Sequence, residues 1–289
     1  MERLKSYCGK GGAEASPAEE TVQAAAPAEK PEAAGEIAPE AVKETEKPKP
    51  SGDGLLVVTR TDIGKVRSSN QDALIEAEGL YGVADGMGGH RGGETASAGA
   101  RDGLIACLSG KTPSESALRE AFLAVNRRLF TRQQEDESLS GMGTTLTVMW
   151  LDGDSVLIGH VGDSRAYLLR DGALTQVTED HSVVAEMVRE GMITRKQAET
   201  HPMRNVITRA VGTEAGVMAD VIRQPRRKGD RWLICSDGLY GMVPEEKLAQ
   251  LLKEKPPEEA ADALLQAALA AGGRDNVSFV ILQDGEGER

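Results

Sequence analysis

The stretch LYGVADGMGGH, residues 80–90, carries an apolar run into a carboxylate, Asp85, and places glycines at 86, 88 and 89 directly behind it. The run reads as a short buried strand. An Asp-Gly pair after a strand is ordinary turn chemistry, because Asp tolerates turn geometry and Gly supplies positive φ at little steric cost. A turn explains the pair but not the density of glycine. Whether the carboxylate is punctuation or part of a site depends on what the rest of the chain brings to the same place.

Working outward, LLVVT at 55–59 reads as a second buried strand, and residues 93–108 as a helix rich enough in Ala and Gly to pack closely on a sheet. TPSESALREAFLAVNRRLF, residues 112–130, predicts a helix with Thr112 as N-cap, Pro113 in the first position and Glu115 completing a capping box. Leu118, Ala121, Phe122, Val125 and Leu129 form its apolar stripe. Residues 144–177 hold the turn pairs Asp152-Gly153 and Asp171-Gly172 between apolar runs, and read as a β-meander. A polar, helix-prone stretch from Asp180 to about Gly212 interrupts the strands, and RWLICSDG at 231–238 resumes them. Helices over 244–253 and 257–271, stopped by Gly272-Gly273, precede a last strand, VSFVIL. Antiparallel runs with paired helices predict an α+β arrangement of layers, not alternating βαβ units.

Residues 1–52 differ from everything after them: half of the twelve prolines lie there amid Ala, Glu and Lys, and Tyr7 is their one aromatic. Such a composition buries too little apolar surface to offset its ordering entropy, so a disordered tail is expected, with the folded domain over 53–289. The net charge of −12 argues against nucleic acid as a partner, which calls for a basic stripe. RQPRRKGDR at 223–231, the densest basic cluster, reads as a solvated loop between two strands. No apolar run approaches the roughly 18 residues that span a bilayer, and the first residues lack a secretory h-region. A cytoplasmic chain with no membrane partner is expected. Three scattered cysteines exclude a disulfide framework and a zinc ribbon, and Cys107 and Cys235 lie in apolar runs that suit a core.

On this map Asp85 and Asp237 end strands before Gly86 and Gly238, Asp163 lies between two strands beside Gly162, and Asp275 immediately precedes the last strand beside Asn276. Each alone reads as a turn. Gathered at one rim of a sheet pair, they would repel one another unless hard cations held them. A set of carboxylates, backbone carbonyls and water suits Mg²⁺ or Mn²⁺, whereas zinc favours His or Cys.

TDIGKVRSSNQDAL, VADGMGGHRGGETAS, GMGTTLT, VGDSRAYLLRDG, TEDHS, LICSDGLYGMV and GGRDNVSFV, in that order from about Leu55 to Leu282, resemble the metal-dependent PPM, or type 2C, serine/threonine phosphatases, most closely their compact bacterial members. The resemblance implies a four-layer α/β/β/α sandwich with two central antiparallel sheets and a two-metal centre at one end. It implies that Asp85 bridges two Mn²⁺ or Mg²⁺ ions, that Gly86 offers its carbonyl to one, and that Asp237 and Asp275 bind the other. Asp163 would help hold a third ion with Asp237, Asp72 would order metal-bound water, and Arg67 would grip the substrate phosphate. The stretch from Asp180 to Gly212 matches the flap beside the site. The implied activity is hydrolysis of phosphoserine and phosphothreonine in proteins by a monomer that opposes a cognate Ser/Thr kinase.

Two positions depart from relatives. Met87 stands where many eukaryotic members have a histidine proposed to protonate the leaving alkoxide, and Gln71 stands where some carry Glu. The leaving group's proton must then come from water or another acid; His90 is near in sequence but reads as a solvated loop histidine. Other chemistries fail residue by residue. No cysteine has Arg six positions later, as a thiol phosphatase requires, and GMGGHRGGET lacks the Lys of a Walker loop. The alternative of a different class is a phosphoprotein-binding pseudoenzyme with the same fold, against which the presence of all four acids argues.

Overall fold

The structure, a computed structural model, describes Lys49, Pro50 and residues 55–285. Of the expected tail, residues 1–52, all but Lys49 and Pro50 lie outside the described residues. Lys49–Pro50 (β1) pairs with Leu55–Asp62 (β2), at Val57 and Leu56.

Two antiparallel sheets form the centre. The first, in order β1-β2-β12-β11-β8-β9, adds Val277–Asp284 (β12), Arg231–Cys235 (β11), Arg165–Arg170 (β8) and Ala173–Gln176 (β9). The second, β10-β7-β6-β4-β3, is built from Asp220–Pro225 (β10), Ser155–Val161 (β7), Leu146–Asp152 (β6), Leu80–Met87 (β4) and Asp72–Ala77 (β3), with Gly143–Thr144 (β5) beside β4. Val83, Met149, Ile158, Leu168, Trp232 and Val280 are buried between the sheets. Gly89–Leu108 (α1) and Glu115–Glu135 (α2) cover the second sheet, and Glu245–Glu254 (α6) and Pro257–Ala270 (α7) cover the first. This is the expected four-layer α/β/β/α sandwich. The stripe Leu118, Ala121, Phe122, Val125 and Leu129 is buried as expected, each large side chain contributing about 1.5–3 kcal/mol relative to exposure.

Three details differ from the expectation. The α2 cap is Ser114, not Thr112: its extended backbone lets Oγ accept from Ala117 N, and Glu115 then falls in the first turn, where the helix dipole favours an acid. The meander is two hairpins in different sheets, β6–β7 in one and β8–β9 in the other, so the chain crosses the sandwich at Gly162–Ser164. The basic cluster is half strand, with Arg223 in β10 paired to Asp152 and Arg226 paired to Asp284. Cys235 is buried in the core beneath α6 and α7, and Cys107 packs partly buried against the core beneath α1 and α2. Between β9 and β10, Val183–Arg189 (α3) and Arg195–Glu199 (α4) form the expected helical insertion, and Asp237–Tyr240 (α5) adds a short helix after β11. Among the described residues no helix is long and apolar enough to cross a membrane.

Candidate metal centre

The crossing at Gly162–Ser164 is what brings the acids together. Asp85 near the end of β4, Asp163 in the crossing, Asp237 opening α5 and Asp275 before β12 line one cavity of about 380 Å³, with Arg67, Gly86, Met87 and Asn276. Asp72 lies behind Asp85, its direct partner in the β3–β4 ladder. All seven residues expected at the site therefore meet at one end of the sandwich. The side chain of His90 lies outside the described residues. A larger recess, about 530 Å³, opens between the Asp152–Gly153 turn and Arg226–Lys228, and none of these seven residues lines it.

Each acid is fixed by backbone. Asp85 N donates to Thr145 Oγ1 (2.9 Å), and its carbonyl accepts from Thr145 N and Thr144 Oγ1, both at 2.9 Å. Gly86 N donates to Gln71 O (3.1 Å), and a Cβ at Gly86 would stand 2.1 Å from Gly93 O and 2.7 Å from Gln71 O. Only glycine fits there. Thr145 Oγ1 also meets Ser164 Oγ (2.8 Å), which ties the crossing to Asp85, and Tyr240 Oη donates to Asp163 O (2.9 Å). The Tyr240 ring carries the Arg165 guanidinium 3.7 Å from its centre, and Arg165 grips Asp180 at the root of the helical insertion with bonds of 2.7–3.1 Å. Ser236 Oγ donates to Asp72 Oδ2 (2.9 Å), leaving Asp72 Oδ1 buried with no hydrogen-bond partner.

Burial and like charge act in one direction here. Desolvation first, then Asp163, Asp275 and Asp72, raise Asp237 to about 8. Desolvation also raises Asp72 and Asp163 to about 6, and lifts Asp85 well above the carboxylate range with help from Asp72 and Asp237. Among the described residues lining the cavity, Arg67 is the one basic group, and its Nη2 sits 2.6 Å from Asp275 Oδ2. Among the described residues no three acidic, His or Cys side chains stand preassembled as a metal cluster. The fit to hard cations rests instead on the chemistry of the donors: the acids lining the cavity offer oxygen only, and behind them one carboxylate oxygen, Asp72 Oδ1, is buried and unpartnered.

The raised values fix the sign of a pH effect. Unfolded Asp titrates near 3.9, so from about pH 4 to 8 the metal-free native state binds more protons than the unfolded chain and loses stability as pH rises. Buried His160, lowered to about 4 by desolvation, acts oppositely, but only below its unfolded value of about 6.5. In chelator, the melting temperature should fall between pH 6.5 and 8, and Asp237→Asn should flatten that fall. A flat wild-type profile would mean that the acids ionise freely.

The sequence did not single out Thr145, Ser236 or Asn276 as functional. All three stand inside the motifs, but a hydroxyl or amide there carries no signal until its partner, sixty or more residues away, is known.

A family model described as Protein phosphatase 2C matches residues 52–271. The serine/threonine protein phosphatase PstP of Mycobacterium tuberculosis is 40% identical over 233 residues, covering 78% of this chain and 44% of that protein, so the chain spans less than half of that relative. The serine/threonine phosphatase stp of Listeria monocytogenes is 38% identical over 237 residues, covering 78% of this chain and 94% of the relative. The crystal structure of the PstP catalytic domain in complex with two manganese ions superposes with a TM-score of 0.73 at 37% identity, covering 79% of this chain and 97% of that one.

Proposed function

Because the chain belongs to the protein phosphatase 2C family, we propose that it is a metal-dependent protein-serine/threonine phosphatase, with residues 53–289 as catalytic domain and about 180–212 as flap. The observation that carries the reading is the convergence of Asp85, Asp163, Asp237 and Asp275 on one cavity with a single arginine at its rim. Mn²⁺ or Mg²⁺ is the expected cofactor: Asp85 and the Gly86 carbonyl would hold one ion, with Asp85 shared to a second on Asp237 and Asp275, and Asp163 would add a third with Asp237. When bound, such ions supply Lewis acidity and a nucleophilic water at neutral pH, so no covalent enzyme intermediate is needed.

The chain's own groups do the rest. Arg67, half exposed at the rim, donates paired hydrogen bonds to phosphate oxygens, which a lysine point charge does not reproduce. Its contact with Asp275, a proposed metal ligand, means that Arg67 variants should also alter metal affinity. Asp72, held by Ser236 and paired with Asp85 in the β3–β4 ladder, orders solvent at the metal site. Met87 offers no proton, so the departing alkoxide takes its proton from water or another acid. Phosphorylated proteins, the targets of a cognate kinase, are the substrate class, and the chain works as a cytoplasmic monomer. The test is phosphate release from phosphoserine, phosphothreonine and phosphotyrosine peptides with Mn²⁺ present. Release from the first two supports the reading, and no release from either contradicts it.

A further inference from the structure

Asn276 is 5% exposed, between Asp275 and β12, and spends its whole carboxamide on the segment that carries Arg67. Oδ1 accepts from Gln71 N (2.9 Å), and Nδ2 donates both hydrogens, to Ile63 O (3.0 Å) and Ser69 O (3.0 Å). The two ends of the segment are thus fastened to one side chain, while Val66 and Arg67 between them are exposed. Lys65 N adds a bond to Gly273 O (2.7 Å), and a Cβ on Gly64 would lie 2.3 Å from Asp275 O, so the segment lies directly on the 273–275 backbone. Asn276 N in turn donates to Asp275 Oδ1 (2.9 Å), and Gln71 O receives Gly86 N (3.1 Å). Asn276 therefore joins Asp275 through its backbone N–H, the Arg67 segment through its carboxamide and, through Gln71, the Gly86 N–H.

We infer that Asn276 is a positioning residue for phosphate binding: it acts through Arg67 by fixing both ends of the segment that presents the guanidinium. The inference rests on the phosphatase reading. An Arg on a segment anchored at one end would spread over many positions, and the orientation that forks onto a phosphate would be one among them.

The experiment is a double-mutant cycle on a phosphothreonine peptide with Mn²⁺, using wild type, Asn276→Ser, Arg67→Ala and the double variant. Arg67→Ala is expected to lose about 10- to 150-fold in kcat/KM, as for a charge-assisted contact. Asn276→Ser is expected to lose about tenfold, mostly as a raised KM, and in the Arg67→Ala background less than about twofold, because the group it positions is gone. In the metal-free protein, the Gln71 amide should exchange faster in Asn276→Ser while the β12 amides keep their protection. If Asn276→Ser melts below the assay temperature, Asn276→Asp, which loses the bonds to Ile63 O and Ser69 O but keeps the acceptor for Gln71 N, takes its place in the cycle, and the Gln71 exchange is still read on Asn276→Ser at a temperature where it is folded. An equal loss in both backgrounds, or unchanged exchange at Gln71, would overturn the inference and leave the phosphatase reading standing. A wild-type chain that released no phosphate would overturn that reading and the inference with it.

Discussion

Asp85→Asn is expected to lower kcat/KM for a phosphothreonine peptide by about three orders of magnitude while the chain stays folded. The replacement keeps the size of the side chain and the backbone bonds to Thr144 and Thr145 that fix the residue, so what changes is one negative charge at the centre of the acids. Charge stabilisation by a bound metal is worth several kcal/mol, and at 1.36 kcal/mol per tenfold a loss of about 4 kcal/mol is about 10³ in rate. Asp237→Asn should behave alike, since it too faces three other acids. Both variants remove a buried like charge, so in chelator at pH 8 their melting temperatures should equal or exceed that of the wild type. Activity and stability then move in opposite directions, which a mutation that merely damages the fold does not produce. Near-wild-type turnover in either variant would return these acids to the role of turn residues.

Removal of metal is the second large effect. A chelated, desalted chain should hydrolyse phosphothreonine peptide at background rate, and Mn²⁺ or Mg²⁺ should restore it, because among the described residues the cavity presents oxygen donors and one arginine but no thiol or imidazole as an alternative nucleophile or base. The nearest buried imidazoles, His160 and His181, are committed to Thr147, the Glu179 carbonyl, Gly162 N and Asp220. Cys235 is buried in the core, its thiol pushed up to about 12 by desolvation, so thiolate chemistry is closed to it. Chelator-resistant turnover at full rate would contradict the site.

The α+β layering was legible in the sequence because its signals are local: the apolar runs of β2, β4 and β12, the stripe on α2 and the Gly272-Gly273 stop each report on their own segment, while the four-layer order followed from the family resemblance. What was not legible is what depends on partners far along the chain. The run from Thr144 to Val177 has the pattern of one meander, and nothing in it says that the strands change sheets at Gly162; that crossing, which sets Asp163 against Asp237, follows from β8 pairing with β11 some sixty residues later. The Thr112 cap failed for a local reason, since Ser114 offers the same oxygen two residues on with a better-placed acid behind it. The motif acids were found as members of a family pattern, but the pairing of Arg67 with Asp275 and the reach of Asn276 to residues 63, 69 and 71 belong to side-chain geometry that strand patterning does not encode.

The central claim, that the acids at this rim exist to hold divalent ions, is tested most directly by manganese binding at equilibrium. Chelated and desalted wild type and Asp85→Asn would be titrated with Mn²⁺ at pH 7.5 and the free ion followed by its electron paramagnetic resonance signal. The account predicts at least two bound ions per wild-type chain and loss of the tightest binding in Asp85→Asn. Equal binding by the two proteins, or none by the wild type, would contradict it.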